Sequence, residues 1–148
     1  MDNPLDFPTK GKVISASSGI VVFQPRGTSY ELHLKAEYTG QLNAPVEAVI
    51  RTKARKVYTV PSGGNFTTPI QGSPRIIQGW VLYADDRTLI VHAGGNFIVD
   101  LPTDDAAISL DEGQIAVNKI VNVTLLPGAT FELAGQRTTA TTIAAVQL

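Results

Sequence analysis

Arg51, Lys53 and Arg55 fall at every second position of the run Arg51-Thr52-Lys53-Ala54-Arg55-Lys56-Val57-Tyr58. On a β-strand that spacing puts three cations on one face. A cationic stripe on a small barrel holds the phosphates of a single-stranded nucleic acid, and nearby aromatic rings stack on its bases. Tyr58 shares the parity of Lys56, so unbroken alternation turns its ring inward, away from the stripe. An ordinary solvated strand face would show the same cation spacing.

The other groups capable of chemistry do not converge. His33 and His92 each fall on the polar side of an alternating segment, and neither has a second His or a Cys at metal-ligand spacing. The acidic pairs Asp85-Asp86 and Asp104-Asp105, with Asp111-Glu112 further on, suit turns, because neighbouring residues on a strand face opposite ways. No cysteine is present, which excludes disulfides, thiolate catalysis and Cys-based zinc sites. Gly63-Gly64 and Gly94-Gly95 lack a following helix to hold an anion. Nucleophile-elbow and phosphate-loop motifs are missing. The sequence therefore predicts a protein that is not an enzyme, with no metal site and no cofactor.

The elements that position these residues read as β throughout. Four blocks recur in the same order. Gly11-Lys12-Val13-Ile14-Ser15-Ala16 matches Gly79-Trp80-Val81-Leu82-Tyr83-Ala84, and Ile20-Val21-Val22-Phe23 matches Thr88-Leu89-Ile90-Val91. Ser29-Tyr30-Glu31-Leu32-His33-Leu34 matches Asn96-Phe97-Ile98-Val99-Asp100-Leu101. The segment 53–61 matches 119–127, and each is followed by a phenylalanine, Phe66 or Phe131. Tyr30, Leu32 and Leu34 alternate with Glu31, His33 and Lys35, the period of a half-buried strand. Pro25-Arg26-Gly27, Asp85-Asp86 and Gly94-Gly95 supply turns. The best helical candidate is one turn near Asp104–Ile108. The expected fold is all-β, with two tandem diverged copies of a small OB/SH3-like barrel packed together, because closure removes exposed edges. The copies are expected at 1–71 and 75–135, joined through Gln71-Gly72-Ser73-Pro74, with an apolar β-prone tail at 136–148.

This pattern resembles the TOBE/MOP-type barrels, which also occur in tandem. Gly11-Lys12-Val13-Ile14-Ser15 looks like their opening strand, and Pro45-Val46-Glu47-Ala48-Val49-Ile50-Arg51-Thr52 like a later one. The resemblance implies oxyanion binding between barrels, with Arg51, Thr52 and Lys53 as the anion contacts. Pro61-Ser62-Gly63-Gly64-Asn65-Phe66 and Pro74-Arg75-Ile76-Ile77-Gln78-Gly79 also look like segments of an uncharacterised bacterial all-β family, which implies no activity.

Composition narrows the partners. Charged residues make up 17% of the 148, against roughly 25% in an average domain, so part of the surface is suited to contact with another subunit. The net charge is −1, but residues 1–74 carry +3 and residues 75–148 carry −4. Residues 1–8 have neither the basic nor the apolar region of a secretion signal, and no run is long enough to span a bilayer. The sequence thus predicts a cytoplasmic, self-associating binding or assembly module. Single-stranded nucleic acid on Arg51, Lys53 and Arg55 is one alternative. A small oxyanion is the other.

Overall fold

The computed structural model describes residues 7–110 and 113–134. The chain is all-β, as its alternation and turn residues predict. One mixed sheet takes in β1 (Thr9–Ser17), β2 (Ile20–Pro25), β3 (Glu31–Lys35), β4 (Pro45–Val60), β5 (Phe66–Thr68) and β6 (Gln71–Gly72). It continues through β7 (Ile76–Ala84), β8 (Thr88–His92), β9 (Asn96–Asp100), β10 (Ile108–Ser109), β11 (Ile120–Leu125) and β12 (Thr130–Leu133). The expected single helical turn is a 3-10 turn at Asp105–Ala107, opened by the Asp104 carboxylate accepting from the Ala106 N–H at 2.9 Å. The segment expected as a linker is stitched into the sheet, because Gln71 and Gly72 of β6 pair with Glu31 and Leu32. The β-prone tail at 136–148 lies outside the described residues.

The pairings trace two circuits. From β1, antiparallel pairs lead through β2 to β3. A parallel contact then passes to β12, and antiparallel pairs return through β4 to β1. The second circuit runs from β7 through β8 to β9, crosses in parallel to β4, and returns through β11 to β7. The first closes unevenly, since β3 and β12 share only the register pair Lys35 with Thr130. Each circuit borrows a strand from the other half of the chain. β4 is 16 residues long and serves both; at Ile50 it has Phe131 on one edge and Phe97 on the other.

The circuits share local detail. A register shift interrupts β1–β2 between Val13 and Ser15, and another interrupts β7–β8 between Val81 and Tyr83. Both openings need glycine for a close backbone approach. A Cβ on Gly11 would stand 2.3 Å from the Gln24 carbonyl oxygen, and one on Gly79 would stand 1.8 Å from that of His92.

The fourth block falls differently from the sequence alignment. Val121 faces Gly79 as Val46 faces Gly11, and Val123 faces Ile77 as Ala48 faces Thr9. By ladder position β11 therefore matches the opening of β4, not segment 53–61. Short alternating blocks of Val and Thr match any strand of the same phase, so similarity alone does not set their register. The two phenylalanines differ as well. Phe131 is buried against Phe23 and Tyr38, with ring centroids 5.5 and 6.0 Å away. Phe66 is half-buried, opposite Gln78.

One apolar cluster runs through both circuits, including Phe23, Leu34, Ile50, Val57, Val81, Phe97, Val123 and Phe131. A smaller one, Val49, Ile90 and Ile98 with Phe7, Leu82 and Tyr83 packed on it, lies on the reverse of the sheet where β9 runs between β4 and β8.

Candidate functional site on β4, β11 and β7

The strand that carries the cations is not regular. Lys56 pairs with Thr124 and Ala54 with Leu125, so Arg55 is an extra residue with no partner on β11. Such a bulge breaks the alternation of side chains. Before it the inward residues are Thr52 and Ala54; after it they are Val57 and Thr59. Arg55 and Lys56 both point to solvent.

This shift corrects the reading of Tyr58. Unbroken alternation would bury the ring, yet Tyr58 is 40% exposed, because the bulge moves the strand's phase by one residue. The ring therefore shares an outer surface with Lys56. Its hydroxyl accepts a hydrogen bond of 2.9 Å from Asn122 Nδ2.

The predicted contacts part company. Arg51 is half-buried, between Thr130 of β12 and Ile98 of β9. Thr52 is 3% exposed, and its hydroxyl donates to the Ile98 carbonyl at 2.9 Å. Thr52 thus belongs to the interior, and Arg51, Thr52 and Lys53 do not surround one anion. Lys53 is exposed with Asp100 opposite it on β9. Arg55 borders an open groove of about 730 Å³ with Arg75, Thr68, Ser73, Ile76 and Thr124.

Register places other side chains beside these cations. Trp80, Ile120 and Val60 form one row across β7, β11 and β4. Phe66, Gln78, Asn122 and Tyr58 form the next. Thr68, Ile76, Thr124 and Lys56 form the third, which runs into the groove. Trp80 is 41% exposed. The acidic Asp104 and Asp105 lie toward the other edge of β4, reached through β10. Sequence reasoning missed Trp80, Gln78, Asn122 and Arg75. Trp80 had a signal, since it alternates with Gly79 and Val81 on a strand whose inward residues are small or aliphatic. The rows themselves had none, because register across three strands is a tertiary property.

Of the two histidines, His92 adjoins this face as the register partner of Trp80 on β8, and His33 does not. His33 is exposed on β3, while His92 is half-buried with Nδ1 2.7 Å from Asn96 Oδ1. Among the described residues no group of three or more His, Cys, Asp or Glu side chains converges to hold a metal ion, and no helix is long and apolar enough to cross a membrane. Comparison of the chain with protein-family models, with curated proteins and with solved structures gives no match.

Proposed function

We propose that this chain is a non-catalytic binding module that holds single-stranded nucleic acid on the outer face of β4, β11 and β7. The bulge at Arg55 carries the reading, because it puts Arg55, Lys56 and Tyr58 on one surface, in register with the face that exposes Trp80. Exposed aromatic rings stack on bases of any sequence, and a flanking cationic groove follows the phosphates. Arg55 and Arg75 supply those charges around hydroxyls of Thr68, Ser73 and Thr124, and Lys56 adds a third as the register partner of Thr124.

The fold underlying this reading is a doubled OB-like unit whose last strands are exchanged. Three antiparallel strands, a parallel step to the last strand and an antiparallel return follow the Greek-key order of an OB-type barrel. The matching bulges and close-approach glycines support the doubling. In the second circuit the outer side of β8 and β9 lies under the Val49, Ile90 and Ile98 cluster. That leaves the β7–β11 face open for a ligand.

Trp80 is the chain's one tryptophan, so its fluorescence reports on this face directly. Oligothymidylate should quench it, with affinity that falls as salt rises. For three or four phosphate contacts the log–log slope should be about −2 to −3. Unchanged fluorescence at low salt, together with no retention on an oligonucleotide column, would refute the proposal.

A second copy of the chain is the competing occupant. It is favoured by the apolar row Trp80, Ile120 and Val60 and by the low content of charge. Sedimentation separates the two readings. Dimerisation that Trp80→Glu abolishes, with no quenching by the oligonucleotide, selects self-association.

A further inference from the structure

The opening ladder of the first circuit carries a second, unrelated surface. Lys10 and Lys12 lie two positions apart on β1, hence on the same face and about 7 Å apart. Lys12 is in register with Gln24 on one side and Pro45 on the other, and Lys10 with Glu47. The Arg26 N–H donates to the Lys10 carbonyl at 2.8 Å, which extends the β1–β2 ladder one position past Gly11 and Pro25 and sets a third cation beside Lys10. These residues line a concavity of about 590 Å³, with Asn43 and Val46 completing its wall. That volume lies within the range of small-molecule sites.

The corresponding ladder of the second circuit shows that the fold does not demand cations here. Trp80 is in register with His92 and Ile120, as Lys12 is with Gln24 and Pro45; Gln78 faces Asn122 as Lys10 faces Glu47. One backbone arrangement therefore carries an aromatic and amide surface in one half and a cationic one in the other. Three cations and one carboxylate line the concavity, an excess of two positive charges. A phosphomonoester carries close to two negative charges near neutral pH. Glu47 accepts hydrogen bonds, and the side-chain amides of Gln24 and Asn43 both donate and accept them, which suits a body bearing hydroxyl or amino groups. Asn43 is held in place by its N–H, which donates to the Val13 carbonyl at 2.8 Å, and by a left-handed φ of 64°.

We infer that this concavity binds a small organic phosphomonoester with a polar, hydroxyl-bearing body, its phosphate between Lys12 and Arg26 and its body toward Gln24, Asn43 and Glu47. The inference is independent of the nucleic-acid face. Isothermal titration of the full chain with ribose 5-phosphate, adenosine 5′-monophosphate and inorganic phosphate tests it. At least one organic phosphate should bind, and bind more tightly than inorganic phosphate. The double variant Lys12→Gln/Arg26→Gln, checked by circular dichroism to be folded, should lose about tenfold or more in affinity, the scale of a lost charge-assisted hydrogen bond. Lys35→Gln/Lys119→Gln, at exposed cations that line neither surface, should bind the same probe unchanged. The inference fails if neither organic phosphate binds at millimolar concentration, if inorganic phosphate binds equally well, or if the Lys12/Arg26 double variant keeps wild-type affinity.

Discussion

Single side chains set the stability of turns and buried positions. Asp85 ends the β7–β8 hairpin, with Oδ1 accepting from the N–H groups of Arg87 and Thr88, both at 2.8 Å, and Oδ2 accepting from the Tyr83 hydroxyl at 2.7 Å. These bonds, the Arg87 N–H foremost and the Tyr83 hydroxyl next, hold its carboxyl below its ordinary value of 3.8. A depressed carboxyl contributes stability that is present above its unfolded pKa and is lost as pH falls through the folded value. Asp85→Asn should therefore be less stable at neutral pH, and should lose less than the parent between about pH 5 and pH 3. Urea midpoints measured across that range check the sign; identical pH profiles would exclude the effect. Thr59 offers the opposite case. Its hydroxyl is buried without a hydrogen-bond partner. Thr59→Val removes that unpaired group at equal shape and should raise stability by up to about 1 kcal/mol, whereas Thr52→Val breaks a made bond and should lower it.

At the scale of the strand, the bulge in β4 decides which residues face outward. Removing Arg55 would leave Ala54 inward, Lys56 outward, Val57 inward and Tyr58 outward, which is regular alternation. That deletion should fold with a loss of about 1–2 kcal/mol. Deleting Val57, two positions on, would drive Tyr58 inward and Thr59 outward, and a slipped phase exposes a strand's whole apolar set. That variant should not give a cooperative unfolding transition. Two deletions of equal size with equal consequences would show that the bulge does not set the phase. The glycine within β7, Gly79, matters for a related reason. Gly79→Ala forces a methyl group onto the His92 carbonyl, and overpacking of this kind costs about 1–3 kcal/mol or more. Trp80→Ala touches the same strand on its outer side. It should leave the unfolding midpoint close to the parent's while removing most oligonucleotide affinity.

Across the whole molecule, pairing of β12 with β3 and β4, and of β4 with β9 and β11, ties the two halves of the chain together. β12 brings Phe131 into the core beside Phe23, and β4 carries Val57 into the circuit of β7, β8 and β9. Phe131→Ala should cost about 3–5 kcal/mol, the usual penalty for emptying a large aromatic site. It should do so although Phe131 lies more than 100 positions from Phe23 in the chain. Separately expressed fragments 1–74 and 75–148 should each lack a cooperative thermal transition, and mixing them should restore one. An isolated fragment that melts cooperatively by itself would argue against exchange.

Much of this architecture is legible in the residues alone. Alternation in Glu31–Lys35 and Ile76–Ala84, with turn formers at Pro25-Arg26-Gly27, Asp85-Asp86 and Gly94-Gly95, is enough for an all-β chain. It also puts Arg51, Lys53 and Arg55 at alternate positions of one strand, β4, because strand periodicity is a local property. The positions of Tyr58, Thr52 and Phe131 are of another kind. A bulge exists only against a partner strand, and the partners of β4 lie from 33 to 85 positions away in the chain. Which halves of β4 meet which strands depends on burying both apolar faces at once, and that requirement acts only on the assembled sheet. The face shared by Trp80, Asn122, Tyr58 and Lys56 is accordingly a product of tertiary register, built from residues whose spacing in the chain carries no common pattern.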